Sequence, residues 1–145
     1  MYTDTTNVEV GQTVFMQRYR YGEHQYKMAI ATKKTAKGQL TTRVESRTTE
    51  WLIIFRQDGS TLREKINGND YKTGKYNSWT LISEDQFNEG VARKNELRRK
   101  CGIANNMKEV VEEIRSQSKG EWMSDEWKED MLAQINQLKE LVESV

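Results

Sequence analysis

The run QRYRYGEHQYKM, Gln17 to Met28, interleaves cations with tyrosines: Arg18, Arg20 and Lys27 alternate with Tyr19, Tyr21 and Tyr26. The segment that follows adds Lys33, Lys34, Lys37 and Arg43. Such a mixture suits a nucleic-acid strand. Phosphates release counterions to lysine and arginine, and bases stack on aromatic rings for about 1–3 kcal/mol each. The same residues also have a structural account, because tyrosine favours strands and lysine protects sheet edges from aggregation.

A second stretch, NGNDYKTGKYNSW from Asn67 to Trp79, has the glycines and the Gly-Lys pair of a phosphate-binding loop. That motif spaces its glycines as GxxxxGK[ST] and needs the final hydroxyl for magnesium. Here five residues separate Gly68 from Gly74, and Tyr76 stands where the hydroxyl belongs. The loop is therefore expected to connect strands, with Tyr71 and Trp79 as barrel-lid and core aromatics.

Other reactive side chains lack company. His24 is the only histidine, and with Cys101 as the only cysteine no usual zinc set can form, so neither metal nor cofactor is expected. Cys101 falls at a predicted helix end, where the dipole disfavours a thiolate and no histidine shares the element. Carboxylates are plentiful, but Glu109, Glu112, Glu113, Glu126, Glu129 and Asp130 read as solubilising helix surface. A carboxylate hydrolase is kept as a weak alternative. The chain is expected to be non-enzymatic.

The elements that must position these residues follow from periodicity. Val10–Tyr19, Tyr26–Thr35 and Gly38–Ser46 are rich in β-branched and aromatic residues. In the second of these Tyr26, Met28 and Ile30 share one face. Lys37-Gly38 and Asp58-Gly59 mark hairpin turns. WLIIF, Trp51 to Phe55, is apolar on both faces, and a last strand is expected over Asn77–Ile82. The period then changes. Ser83 with Gln86 forms a capping box for a helix to about Cys101, stopped at Gly102. Asn106 with Glu109 opens a second helix, and Ser124 a third. Along the third, Trp127, Met131, Ile135, Leu138 and Val142 make one apolar stripe, with Trp122 just before it.

Composition bounds the rest. The 145 residues are 35% hydrophobic and 31% charged, which limits the core. Residues 1–80 hold 13 basic against 8 acidic side chains, and residues 81–145 hold 10 against 14. The basic first half would favour an anionic partner. No apolar stretch is long enough to span a membrane, and MYTDTTNVEV lacks a signal-peptide pattern, so a cytoplasmic location is expected.

VGQTVFM, IATKKTAKGQLTTR, WLIIFRQDGSTLREK and a glycine-bearing loop ending in SWTLISEDQFNE occur in this order. Over roughly Val8 to Glu89 the pattern resembles bacteriophage and prophage proteins with a small Src-homology-3-like barrel. The resemblance implies an α+β fold: an antiparallel five- to six-stranded Src-homology-3-like barrel over residues 1–82, then about three helices over 83–145. It transfers no catalytic residues. It implies an accessory protein that binds a host macromolecule in the host cytoplasm, as a host-directed or counter-defence inhibitor. A host protein is the leading partner, with Tyr19, Tyr21, Trp122, Trp127, Met131, Ile135 and Leu138 as its interface. The nucleic-acid face is the alternative. A homodimer through the last helix is also open, and no membrane partner is expected.

Overall fold

The computed structural model describes residues 3–72, 77–117 and 125–144. The first unit is one antiparallel sheet of seven strands, in the order β6-β5-β4-β3-β2-β1-β7. Its strands are β1 (Thr13–Arg20), β2 (Glu23–Lys34), β3 (Leu40–Val44), β4 (Trp51–Phe55), β5 (Thr61–Ile66), β6 (Asn69–Tyr71) and β7 (Thr80–Ile82). Register shifts at Ala31/Lys33 and Ile54/Phe55 bend the sheet, and it curls into a half barrel.

Alternation then sorts the side chains. Val14, Met16, Ala29, Ala31, Leu40, Val44, Ile53, Phe55, Trp79 and Leu81 form one buried cluster on the inner face. Thr42 is buried among them and donates to the Ile53 carbonyl at 2.9 Å. The N-terminal segment closes one end: Thr3 N–H donates to Leu81 O at 3.0 Å and Thr5 N–H to Gln57 O at 2.9 Å. Leu52 and Ile54, the other face of WLIIF, are half-buried.

The count of five to six strands is corrected to seven among the described residues. The extra strand, β6, arises inside the glycine-bearing loop. Asn67 and Gly68 both take positive φ, 50° and 79°, and that two-residue turn matches the twist of β5 and β6. At Asp58-Gly59 only Gly59 is left-handed, and the hairpin turns through a longer loop with an adjacent bulge. The Asp58 carboxylate caps this turn. The Ser60 hydroxyl first, then the Ser60 amide, hold it below its ordinary pKa. Its contribution is lost as pH falls through that lowered value.

Helix α1 (Glu84–Gln117) opens as the sequence indicates: Gln86 N–H donates to Ser83 Oγ at 3.2 Å and Ser83 N–H to Gln86 Oε1 at 3.1 Å. Its first turns lie on the outer face of the sheet, where Phe87 meets Phe15 at 4.9 Å and Tyr26 at 6.1 Å. Gly90 permits this approach, since a Cβ there would stand 2.3 Å from Tyr26 Cζ. With these contacts the first compact unit runs to Ala92, and Arg93–Val145 forms the second.

The expected stop at Gly102 is not used, and α1 runs through it and past Asn106. The expected three helices or so are thus corrected to two among the described residues, α1 and α2 (Asp125–Glu143). Good helix formers on both sides outweigh one glycine. Gly102 lies within the helix and a Cβ there would meet nothing within 4 Å. Gly102→Ala is therefore expected to stabilise the helical unit by about 0.5–1 kcal/mol, read as a rise in its thermal midpoint.

In this second unit Arg99 Nη1 donates to the Ser144 carbonyl at 2.7 Å. Arg99 and Ser144 stand about equally far from the connection, so α1 and α2 run antiparallel there. Val110 and Met131, also at matching levels, are buried. The expected stripe on the last helix is divided. Met131 and Leu138 face inward, but Ile135 and Val142 are each 54% exposed. A single partner helix covers a narrow seam and leaves the stripe's edge in solvent. Trp122 and the Trp127 side chain lie outside the described residues.

Candidate functional site

The arginine–tyrosine run occupies β1, its turn and the start of β2, and the pleat splits it. Arg18, Arg20, Gln25 and Lys27 fall on the inner side, while Tyr19, His24 and Tyr26 fall on the outer. Cations and rings that alternate in sequence therefore do not share a face.

The inner side continues the core into a charged, aromatic end. Arg18 places its Cζ 4.4 Å from the Trp79 ring centroid and donates from Nε to Gln25 Oε1 at 2.8 Å. Lys27 Nζ stands 4.6 Å over Trp51, which packs edge-on against Trp79 at 6.2 Å. Trp51 Nε1–H donates to Glu64 Oε1 at 2.8 Å. Glu64 is buried, and its Oε2 and Trp79 Nε1 have no hydrogen-bond partner among the described residues. Burial lowers the Arg18 guanidinium from its ordinary pKa, and the Glu64 charge opposes the shift. Two of the candidate cations are thus engaged with the protein's own tryptophans.

The exposed end of this arrangement is the β1–β2 turn. Tyr21 and Gly22 both have positive φ, 54° and 79°. Asparagine or glycine normally holds such a turn; for other side chains the clash of Cβ with the following carbonyl oxygen costs roughly 1–2 kcal/mol in left-handed backbone. Tyr21 is nevertheless there, and it is 83% exposed. Arg20 lies 4.6 Å over its ring and donates from Nη2 to Tyr71 Oη at 3.2 Å. That hydrogen bond is the first cause of a raised Arg20 pKa. Tyr19, also exposed, meets His24 edge-on at 5.1 Å. The turn thus presents Tyr19, Arg20, Tyr21 and Tyr71 to solvent around one tip.

The remaining candidates lie elsewhere. Tyr26 is occupied with Phe87 and Gly90. Lys34 Nζ donates to Thr6 O at 2.8 Å and Val8 O at 3.1 Å, tying down the N-terminal segment. Lys33 and Lys37 are exposed at the far end of β2, about 30 Å along the strand from the Tyr21 turn. Arg43, on β3 opposite Ile30 and Leu52, is exposed on the outer side. The ten candidate residues therefore divide among several places and form no single groove. Cys101 is exposed on α1. No trio of His, Cys, Asp or Glu among the described residues could hold a metal ion. In the glycine loop, Asn67-Gly68 joins two strands, while Thr73–Tyr76 lie outside the described residues.

Sequence reasoning missed the Trp51–Glu64–Trp79–Arg18 cluster. One signal was available: Trp51, Ile53 and Phe55 share parity, and pairing across the Gly59 hairpin sets Glu64 opposite Ile53. Tyr21 was named among the candidates, but not its left-handed backbone, for which Tyr-Gly between two strands was the signal.

No protein-family model, curated protein or solved structure matches this chain. No helix among the described residues is long and apolar enough to cross a membrane.

Proposed function

We propose that this chain is a non-enzymatic accessory protein of the phage type, a Src-homology-3-like small barrel with a helical region. It acts by binding a host protein through the tip of the β1–β2 turn. The observation that carries this reading is Tyr21: a large ring, almost fully exposed, kept at a backbone position that disfavours it. Strain of this kind persists where something other than stability maintains it. Tyrosine and arginine are also the residue types that concentrate binding energy at interfaces. Occupying a host component is the action that fits a small protein of this kind. The carboxylate-hydrolase reading gains nothing from Glu64, whose partners are Trp51 and Arg18.

Parallel pull-downs from bacterial lysate with wild type and Arg20→Glu test the reading. A defined protein retained by wild type and depleted about tenfold with the variant supports it. Retention of nothing above background, or of the same protein equally by both, contradicts it.

Direct nucleic-acid binding is the second reading, favoured by the exposed Arg20–Tyr21 stack, which offers a ring and a charge together. It requires anisotropy of labelled single-stranded DNA, duplex DNA or RNA to fall by orders of magnitude in affinity between about 50 and 200 mM salt. Salt-independent retention counts against it.

A further inference from the structure

Strand β2 is only half paired along one of its edges. On the β1 side its pairing runs from Glu23 to Ile30, opposite Arg20 to Thr13. On the other side β3 covers only Ile30 to Lys34, opposite Arg43 to Leu40. β3 then leaves β2 and stays with β4, where Val44 pairs with Trp51. The edge of β2 before Ile30 therefore has no neighbouring strand among the described residues.

Backbone parity identifies the groups left open. Ala31 N–H donates to Gln12 O at 2.9 Å, and Ala31 O accepts from Gly11 N–H at 2.7 Å, so Ala31 faces β1. Successive residues of a strand turn these groups to opposite edges. Ala29 and Lys27 thus face β1 as well, opposite Val14 and Met16. Met28 and Tyr26 face the other way, and neither has a backbone partner there among the described residues. Each presents one donor and one acceptor, in a row with a repeat of about 7 Å.

The gap beside this row is open. A cavity of about 370 Å³ lies there, lined by β2 from Lys27 to Ile30 and, across from it, by Val44 and Glu45. On the inner face Lys27 Nζ reaches the Trp51 ring, 4.6 Å from its centroid, and floors the gap. On the outer face Met28 is 55% exposed, so α1, which meets Tyr26 through Phe87, leaves it open.

These features select the occupant. Open donors and acceptors along one line are complemented by another extended backbone, not by a helix, whose own groups are bonded internally. Charge opposes a second copy. Two β2 edges meeting antiparallel around Tyr26 and Met28 would be centred on Lys27, setting it directly opposite its copy. A segment of another protein carries no such constraint. A cavity walled on both sides also suits a single chain better than the edge of a folded sheet.

We infer that the open edge of β2 at Tyr26–Met28 takes up an extended segment of a partner protein by strand addition. An apolar side chain of that segment enters the cavity against Ala29 and Val44. The site lies roughly 20 Å along β2 from the Tyr21 turn, and the inference stands whether or not that turn binds.

The probe is a labelled eight-residue peptide that alternates valine with threonine and is flanked by serines. A companion N-methylated at its four central amides keeps the side chains and lacks the donors. Anisotropy titrations on the full chain are expected to show binding of the first and at least tenfold weaker binding of the second. In the complex, amide exchange at Tyr26 and Met28 should slow at least tenfold, with Lys27 and Ala29 unchanged. Met28→Pro removes one open donor and leaves the β1 ladder intact. It should keep the circular dichroism of wild type and bind the peptide at least tenfold more weakly. If that variant does not fold, the exchange pattern on wild type decides. Failure of the first peptide to bind, equal binding of its methylated companion, or protection only at other amides overturns the inference. A concentration-dependent dimer that protects Tyr26 and Met28 without peptide would make the edge a self-interface, and also overturns it.

Discussion

Trp79→Ala is expected to destabilise the sheet unit by about 3–5 kcal/mol, the range for removing a buried large aromatic from a core. Trp79 is fully buried and lies where the apolar cluster meets the charged end of the inner face. Its loss leaves a cavity, removes the edge-on partner of Trp51, and strips the partly buried Arg18 of the ring beneath it. The last effect separates this site from an ordinary core position, since a guanidinium left without its aromatic face remains desolvated. Urea unfolding should show a lower midpoint with little change in slope. A loss below about 1 kcal/mol would contradict the packing described.

Gly59→Ala is the second large effect, about 2–5 kcal/mol from two sources. The backbone at Gly59 has φ +82°, and a Cβ there would stand 2.1 Å from the Thr3 carbonyl oxygen. That oxygen cannot move alone. Thr3 N–H is bonded to Leu81 O, and Thr5 further on is bonded to Gln57 and, through its hydroxyl, to the Gly38 carbonyl at 2.6 Å. Gly22→Ala provides the control, since φ is +79° but a Cβ would meet nothing within 4 Å. It should show only the conformational part, about 1–2 kcal/mol. Equal losses in the two variants would mean that the N-terminal segment does not hold the turn. Hydrogen exchange at the Thr5 and Leu81 amides, faster in Gly59→Ala alone, would locate the damage.

Those two residues also show how far the sequence could be read. Asp58-Gly59 announced a hairpin because glycine after aspartate is a turn signal whatever surrounds it. That Gly59 also sits under the N-terminal segment depends on how the sheet curls, which local chemistry does not encode. The β2–β3 hairpin and the Ser83–Gln86 cap were legible for the same local reason, as was the change of period at residue 83. Strand β6 was hidden because Asn67-Gly68 lay inside a polar segment whose second glycine, Gly74, and following lysine drew the reading to a phosphate loop. Gly102 misled in the opposite direction. A glycine after a cationic turn resembles a helix stop, but a stop needs the left-handed backbone, and here the chain stays helical.

The candidate site was half legible. The run from Arg18 to Lys27 drew attention through its composition, and period two already implied that its cations and rings would part to opposite faces. What could not be read was the pairing of Arg18 with Trp79 and of Lys27 with Trp51, side chains brought together only by strand order. Similarly, the stripe on the last helix gave the right periodicity and too broad a face. Met131 and Leu138 pack inward, and Ile135 and Val142 do not. Only the register set by α1 separates them.

The central claim is that Tyr21 is retained for binding at a cost in stability. The contact with Arg20 returns about 0.5–1 kcal/mol at an exposed site, less than the roughly 1–2 kcal/mol lost to its left-handed backbone. Tyr21→Asn, with unfolding and partner retention measured on the same preparation, tests this directly. The expected result is a protein about 0.5–1 kcal/mol more stable that retains about tenfold less of the partner captured by wild type. A variant that is more stable and retains the partner undiminished would contradict the claim. So would one that loses stability, since the ring would then be part of the structure it was taken to strain.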